Sequence, residues 1–157
     1  RIAGMLRGCG IGVSVQTQDA GALFAPGPEG PLFGRNFDLA QFAWQSGRGS
    51  PCFLYISAQI PSAANDWLGT NITGWSNPEY DAACQAALNA DPADSAAYQA
   101  ANRQVQEIFA RELPVIPLYY TVHVTAARPD LCGLAVDSSA RSDLWNLEAF
   151  STGDDCP

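Results

Sequence analysis

Between positions 77 and 113 the apolar residues recur at helical spacing, with one interruption. Tyr80, Ala83, Cys84, Ala87 and Leu88 fall at i, i+3, i+4, i+7 and i+8 and define one face of a first helix. Asn77 is suited to cap it and Pro78 to its first position, where no amide hydrogen is needed. A second helix starts with Asp91 as cap, Pro92 inside and Asp94 on the positive end of the macrodipole. Tyr98, Ala101, Val105, Ile108 and Phe109 form its apolar stripe, and Pro114 ends it. The following VIPLYYTVHV, 115–124, is rich in β-branched and aromatic residues and predicts a strand.

Upstream the period changes to two. Ile11, Val13 and Val15 alternate with Gly12, Ser14 and Gln16, the pattern of a half-buried strand entered from a helix end at 2–9 and broken from it by Gly10. Residues 36–44, NFDLAQFAW, are almost continuously apolar in their second half and predict a strand buried on both faces, with Asp38 interrupting it. A short helical turn is expected at 19–24, another at 52–56, and a weak strand at 134–136. The loop at 25–34 holds three Pro and three Gly. Strands separated by helices argue for an α/β or α+β fold, a mixed sheet flanked by helices.

Length and composition narrow the function classes. A chain of 157 residues that is 47% hydrophobic and 15% charged can bury a real core. Its net charge is −8 and every basic residue except the single histidine is Arg, which argues against nucleic acid and against anionic membrane surfaces. The chain starts on what reads as the end of a helix, so it is expected to be part of a larger polypeptide, its first strand missing.

Chemistry-bearing constellations are sparse. The single histidine, His123, lies in the 115–124 strand, where a structural role is expected, and GxSxG and HExxH motifs are absent. The GCGIG run at 8–12 precedes a strand instead of following one, so it lacks the geometry of a phosphate loop. Cys9, Cys52, Cys84, Cys132 and Cys156 form no CxxC pair; neither metal nor cofactor is implied. Four of the five would pair in a secreted chain, whereas all five would be buried thiols in a cytosolic one.

Binding features are richer. Trp44 closes a predicted strand and opens the Gly/Ser-rich loop 45–50, which contains Gln45, Ser46 and Arg48. Loops at the carboxyl ends of strands are where ligands collect in open α/β sheets. Asn71 and Trp75 stand just ahead of a helix start, a second place suited to a polar or anionic group. Aromatic rings supply flat apolar area there, and amides and hydroxyls fix orientation. The alternative is that both Trp residues plug the core beneath irregular loops.

GWSNPEYDAACQAAL at 74–88, the helix ending QEIFARELPVIPLYY, and the upstream GIGVSVQTQ and FGRNFDLAQFAW together resemble extracellular solute-binding proteins of the oligopeptide/dipeptide class, family 5, in their C-terminal part. The resemblance covers roughly residues 2–150. It implies a lobe like that of type II periplasmic binding proteins at 1–128, and a segment at 129–157 returning toward the other lobe. It further implies a peptide or other small-molecule solute, ABC permease subunits as partners, and an extracellular or periplasmic location with membrane tethering outside this stretch. A solute-sensing receptor domain is the alternative, and a hydrolase fragment the remotest one. In peptide-binding relatives an aspartate a few residues after the strand-ending Trp holds the ligand's α-amino group. Here Gly47 and Arg48 stand near that place, and no carboxylate occurs between Asp38 and Asp66, which favours an uncharged or anionic solute at least equally. For an extracellular protein the resemblance also suggests disulfides Cys52–Cys84 and Cys132–Cys156, with Cys9 a buried thiol.

Overall fold

The computed structural model describes residues 1–44, 51–119, 124–137, 140 and 142–153. These divide into two units, 1–41 with 54–78, and 42–53 with 79–157, so the chain passes between them three times.

The first unit opens with α1 (Ile2–Gly8), none of whose residues is buried. Cys9 follows it as a free and exposed thiol. The expectation of a buried thiol is therefore corrected: the helix it terminates buries none of its residues, and Cys9 lies beyond its end. Asp19 accepts a hydrogen bond from the Ala22 amide at 2.9 Å and so caps α2 (Ala20–Leu23). Beyond it the Pro/Gly loop is closed by Asn36, whose side-chain amide donates to the carbonyls of Pro28 and Gly30. Leu32, Leu54, Pro61 and Ile72 are the buried apolar residues of this unit. Short 3-10 turns at Ser57–Gln59 and Ala63–Asn65 carry the chain through 57–76, the second held by a reciprocal Ser62–Asn65 cap.

The second unit is built on α3 (Pro78–Asn89) and α4 (Ser95–Glu112). Pro78 takes the first helical position, and Tyr80, Ala83, Cys84 and Ala87 are buried as the spacing predicts, whereas Leu88 is 53% exposed. In α4, Val105 and Ile108 are buried, with Tyr98, Ala101 and Phe109 half-buried. Its cap is Asp94, which accepts from the Ala97 amide at 3.1 Å; Asp91 instead closes a preceding turn by accepting from Ala93. Both aspartates offer the same acceptor chemistry, and the later one is adjacent to the first uninterrupted helical run. The Tyr80 and Phe109 rings lie tilted against each other with centroids 6.0 Å apart, and the Tyr80 hydroxyl donates to the Cys52 carbonyl at 3.0 Å. Cys52, in a 3-10 turn (Cys52–Tyr55), is joined to Cys84 by a disulfide with Cα atoms 5.6 Å apart. Cys132 is also disulfide-bonded; Cys156, the partner expected for it, lies outside the described residues. Arg111 reaches Glu79 at 2.7 Å and ties the exposed ends of the two helices.

Strands differ most from expectation. Among the described residues the sheet consists of β1 (Leu131–Cys132) and β2 (Ser151–Thr152), antiparallel, with Leu131 opposite Thr152 and Cys132 opposite Ser151. Residues 11–16, 36–44, 115–119 and 134–136 form no strand. Leu39, Ile116 and Tyr119, which strand burial would have covered, are 74%, 71% and 76% exposed. A strand needs a neighbour to take its N–H and C=O groups, and no ladder to these segments exists among the described residues. Residues 120–123, including His123, lie outside the described residues. At 133 the chain needs glycine: φ is +81°, and a β-carbon there would overlap the Ala149 carbonyl.

Candidate functional site

Of the six residues the sequence puts forward for ligand binding, Gln45, Ser46 and Arg48 lie outside the described residues. Trp44 belongs to the second unit, half-buried, with its ring set edge-on to Phe42 at 5.3 Å. Asn71 and Trp75 belong to the first unit and are joined directly.

Asn71 is completely buried. Its side-chain amide donates to three carbonyls, those of Tyr55 at 2.9 Å, Ile56 at 3.1 Å and Trp75 at 2.8 Å. Its side-chain oxygen accepts from the Thr73 hydroxyl at 2.8 Å, and that hydroxyl in turn accepts from the Trp75 amide at 3.1 Å. An amide nitrogen has two hydrogens, so three acceptors already share them and none is left for a ligand. The bonds it makes in the structure shape the loop. Thr70 extends the same arrangement by donating from its hydroxyl to the Leu54 carbonyl at 3.1 Å. Burial pushes the Tyr55 phenol above its ordinary range, so it stays neutral under physiological conditions.

This network fixes the backbone of 71–75, and the fixed loop carries a residue that sequence reasoning missed. Gly74 has φ of +71°, and the side chain of Arg35 lies over it: a β-carbon on Gly74 would stand 3.3 Å from Arg35 Cδ and 3.5 Å from Nε. Arg35 is itself left-handed, with φ of +54°, and its Nη1 donates to the Pro61 carbonyl at 3.0 Å. The available signal was weak. Gly34-Arg35-Asn36 reads as a turn, but Arg is not a residue that advertises a positive φ.

In the second unit a cleft of about 430 Å³ is lined by Thr125, Leu131, Leu134, Leu144 and Phe150 with Asp143 among them. The Thr125 hydroxyl donates to the Asp143 carboxylate at 2.9 Å, so one polar pair sits in mostly apolar walls. Among the described residues no group of three or more His, Cys, Asp and Glu is placed to hold a metal ion. No helix among them is long and apolar enough to cross a membrane.

Comparison with known proteins finds two curated relatives. The chain is 30% identical over 108 residues, 69% of its own length, to the peptide transport periplasmic protein SapA of Salmonella typhimurium strain LT2. It is 29% identical over 108 residues to the probable ABC transporter periplasmic-binding protein SapA of Escherichia coli strain K12. In both cases the match spans 19%, about a fifth, of the relative's length. No family model and no solved structure matches the chain.

Proposed function

We propose that this chain is part of a family 5 solute-binding protein of the peptide class, a component of an ABC importer. The observation that carries the reading is the 30% identity over 108 residues to a periplasmic peptide transport protein. Both curated relatives are named for transport or for binding in the periplasm, and neither for catalysis, which favours a binder over an enzyme. The motif order at 74–120, with helices α3 and α4 in sequence, supports the same assignment. On this reading the protein works in the periplasm or outside the cell, tethered to the membrane, and delivers a captured peptide to permease subunits. The lobe is of the type II α/β kind. Closure of two lobes on the ligand is the physical step, a hinge transition driven by contacts made only in the closed state.

The test is retention of peptides by the purified protein. A pool of tri- to pentapeptides is mixed with it, unbound material is removed on a desalting column, and the retained mass is read by native mass spectrometry. Retained peptides in stoichiometric amount are expected. A protein that holds no peptide from the pool would remove this reading.

A further inference from the structure

The cleft in the second unit is lined by none of the six residues that the sequence puts forward for solute binding. Its walls come from two stretches, 125–134 and 142–150, which the fold clasps together. β1 pairs with β2, the Gly153 amide donates to the Asp130 carbonyl at 3.0 Å, and the bare backbone of Gly133 lies against the Ala149 carbonyl. Two side chains add grips of their own. The Trp145 indole N–H donates to the Ala135 carbonyl at 2.8 Å, and the side-chain amide of buried Asn146 donates to the Gly133 carbonyl at 2.7 Å. Walls tied to each other in this way are formed before any ligand arrives, as in most small-molecule sites.

The chemistry of the lining is one-sided. Leu131, Leu134 and Phe150, all half-buried, supply apolar surface, and the polar groups are Thr125, Ser142 and Asp143. The Thr125 hydroxyl gives its hydrogen to the half-buried Asp143 carboxylate at 2.9 Å, which leaves lone pairs on its own oxygen. The Ser142 hydroxyl oxygen also acts as an acceptor, from the Leu144 amide at 3.1 Å. A carboxylate accepts from several donors at once and has none to offer in return. An acceptor-lined edge in an apolar cleft suits a ligand that brings hydrogens and positive charge on an apolar body. An anion would instead meet the Asp143 carboxylate in a chain of net charge −8.

We propose that this cleft binds a small primary amine in its protonated form. The apolar body lies against Leu134 and Phe150, and the ammonium sits on Asp143 beside Thr125. The inference uses none of the residues put forward for the transported solute and does not rest on the peptide-binding reading.

In the experiment the 15N-labelled protein is titrated at neutral pH with 2-phenylethylamine, 2-phenylethanol and 3-phenylpropanoate, probes of similar size and different charge, and amide shifts are followed by NMR. The amine shifts amides within 125–150 saturably, with a dissociation constant about fivefold or more below that of the alcohol, the scale of a partly exposed ion pair. The carboxylate shifts none of them. Asp143→Asn, which keeps an acceptor for the Thr125 hydroxyl, brings the amine to the level of the alcohol and leaves the alcohol unchanged. Leu134→Trp fills the cleft and abolishes binding of both. The spectra report the folding of each variant; if either does not fold, the ranking of the three probes on the unmodified protein decides. Equal binding of amine and alcohol, tighter binding of the carboxylate, unchanged amine affinity in Asp143→Asn, or no saturable shift within 125–150 overturns the inference. Each of these outcomes leaves the peptide reading as it stands.

Discussion

Replacing Asn71 with Ala would remove one fully buried amide and leave the carbonyls of Tyr55, Ile56 and Trp75 without their shared donor. Buried groups stripped of a partner bear their full desolvation cost, so the expected loss is roughly 2–4 kcal/mol, read as a lower midpoint in urea unfolding. Asn71→Asp should be no milder, because it turns a carboxylate toward three carbonyl oxygens. Midpoints within error of the parent for both variants would mean that the loop does not depend on this side chain. An asparagine ahead of a helix was visible in the sequence as a polar group near a plausible site. Its direction was not, because the three carbonyls it meets come from residues 4 to 16 positions away. Arg35 was harder still, since nothing in the residue type signals its left-handed backbone.

The helices were legible as elements because their information is local: the stripe through Val105 and Ile108 is written within one turn of itself. Val105→Ala or Ile108→Ala should lower stability by about 1–4 kcal/mol, and Glu107→Ala on the exposed face by less than about 0.5 kcal/mol. Equal shifts at the two kinds of position in thermal unfolding would show that the face is assigned wrongly. The last residue of the stripe in α3, Leu88, is 53% exposed although Ala87 beside it is buried. At the end of α4, Leu113 takes a left-handed φ of +47° while 57% exposed, a conformation that glycine adopts without strain. Leu113→Gly should therefore raise stability, by up to about 1 kcal/mol, as seen in the thermal midpoint. The strands expected at 11–16, 36–44 and 115–124 were argued from residue type and pattern within each segment. Ladder partners are remote in sequence, and a single segment's alternation does not say which neighbour it will have.

At the scale of the molecule the two-unit division was not legible, since it depends on where the chain leaves one unit and re-enters it rather than on any motif. The solute-binding reading came instead from the order of motifs, and the chain is 30% identical over 69% of its length to a periplasmic peptide transport protein. The Cys52–Cys84 bond has a consequence of its own here, because the whole 54–78 segment of the first unit lies between its ends. Backbone integrity and physical connection are uncoupled across that interval. Limited digestion that cuts once within 57–76, where the chain is irregular, should leave a single band of unchanged mass on a non-reducing gel. The same sample should fall into two bands once a thiol reductant is added, and Cys52→Ser with Cys84→Ser should release both pieces without it. A nicked chain of this kind keeps its halves at an effective concentration set by a tether of one sulfur–sulfur bond, so damage in this stretch would be survived as a clip rather than a loss.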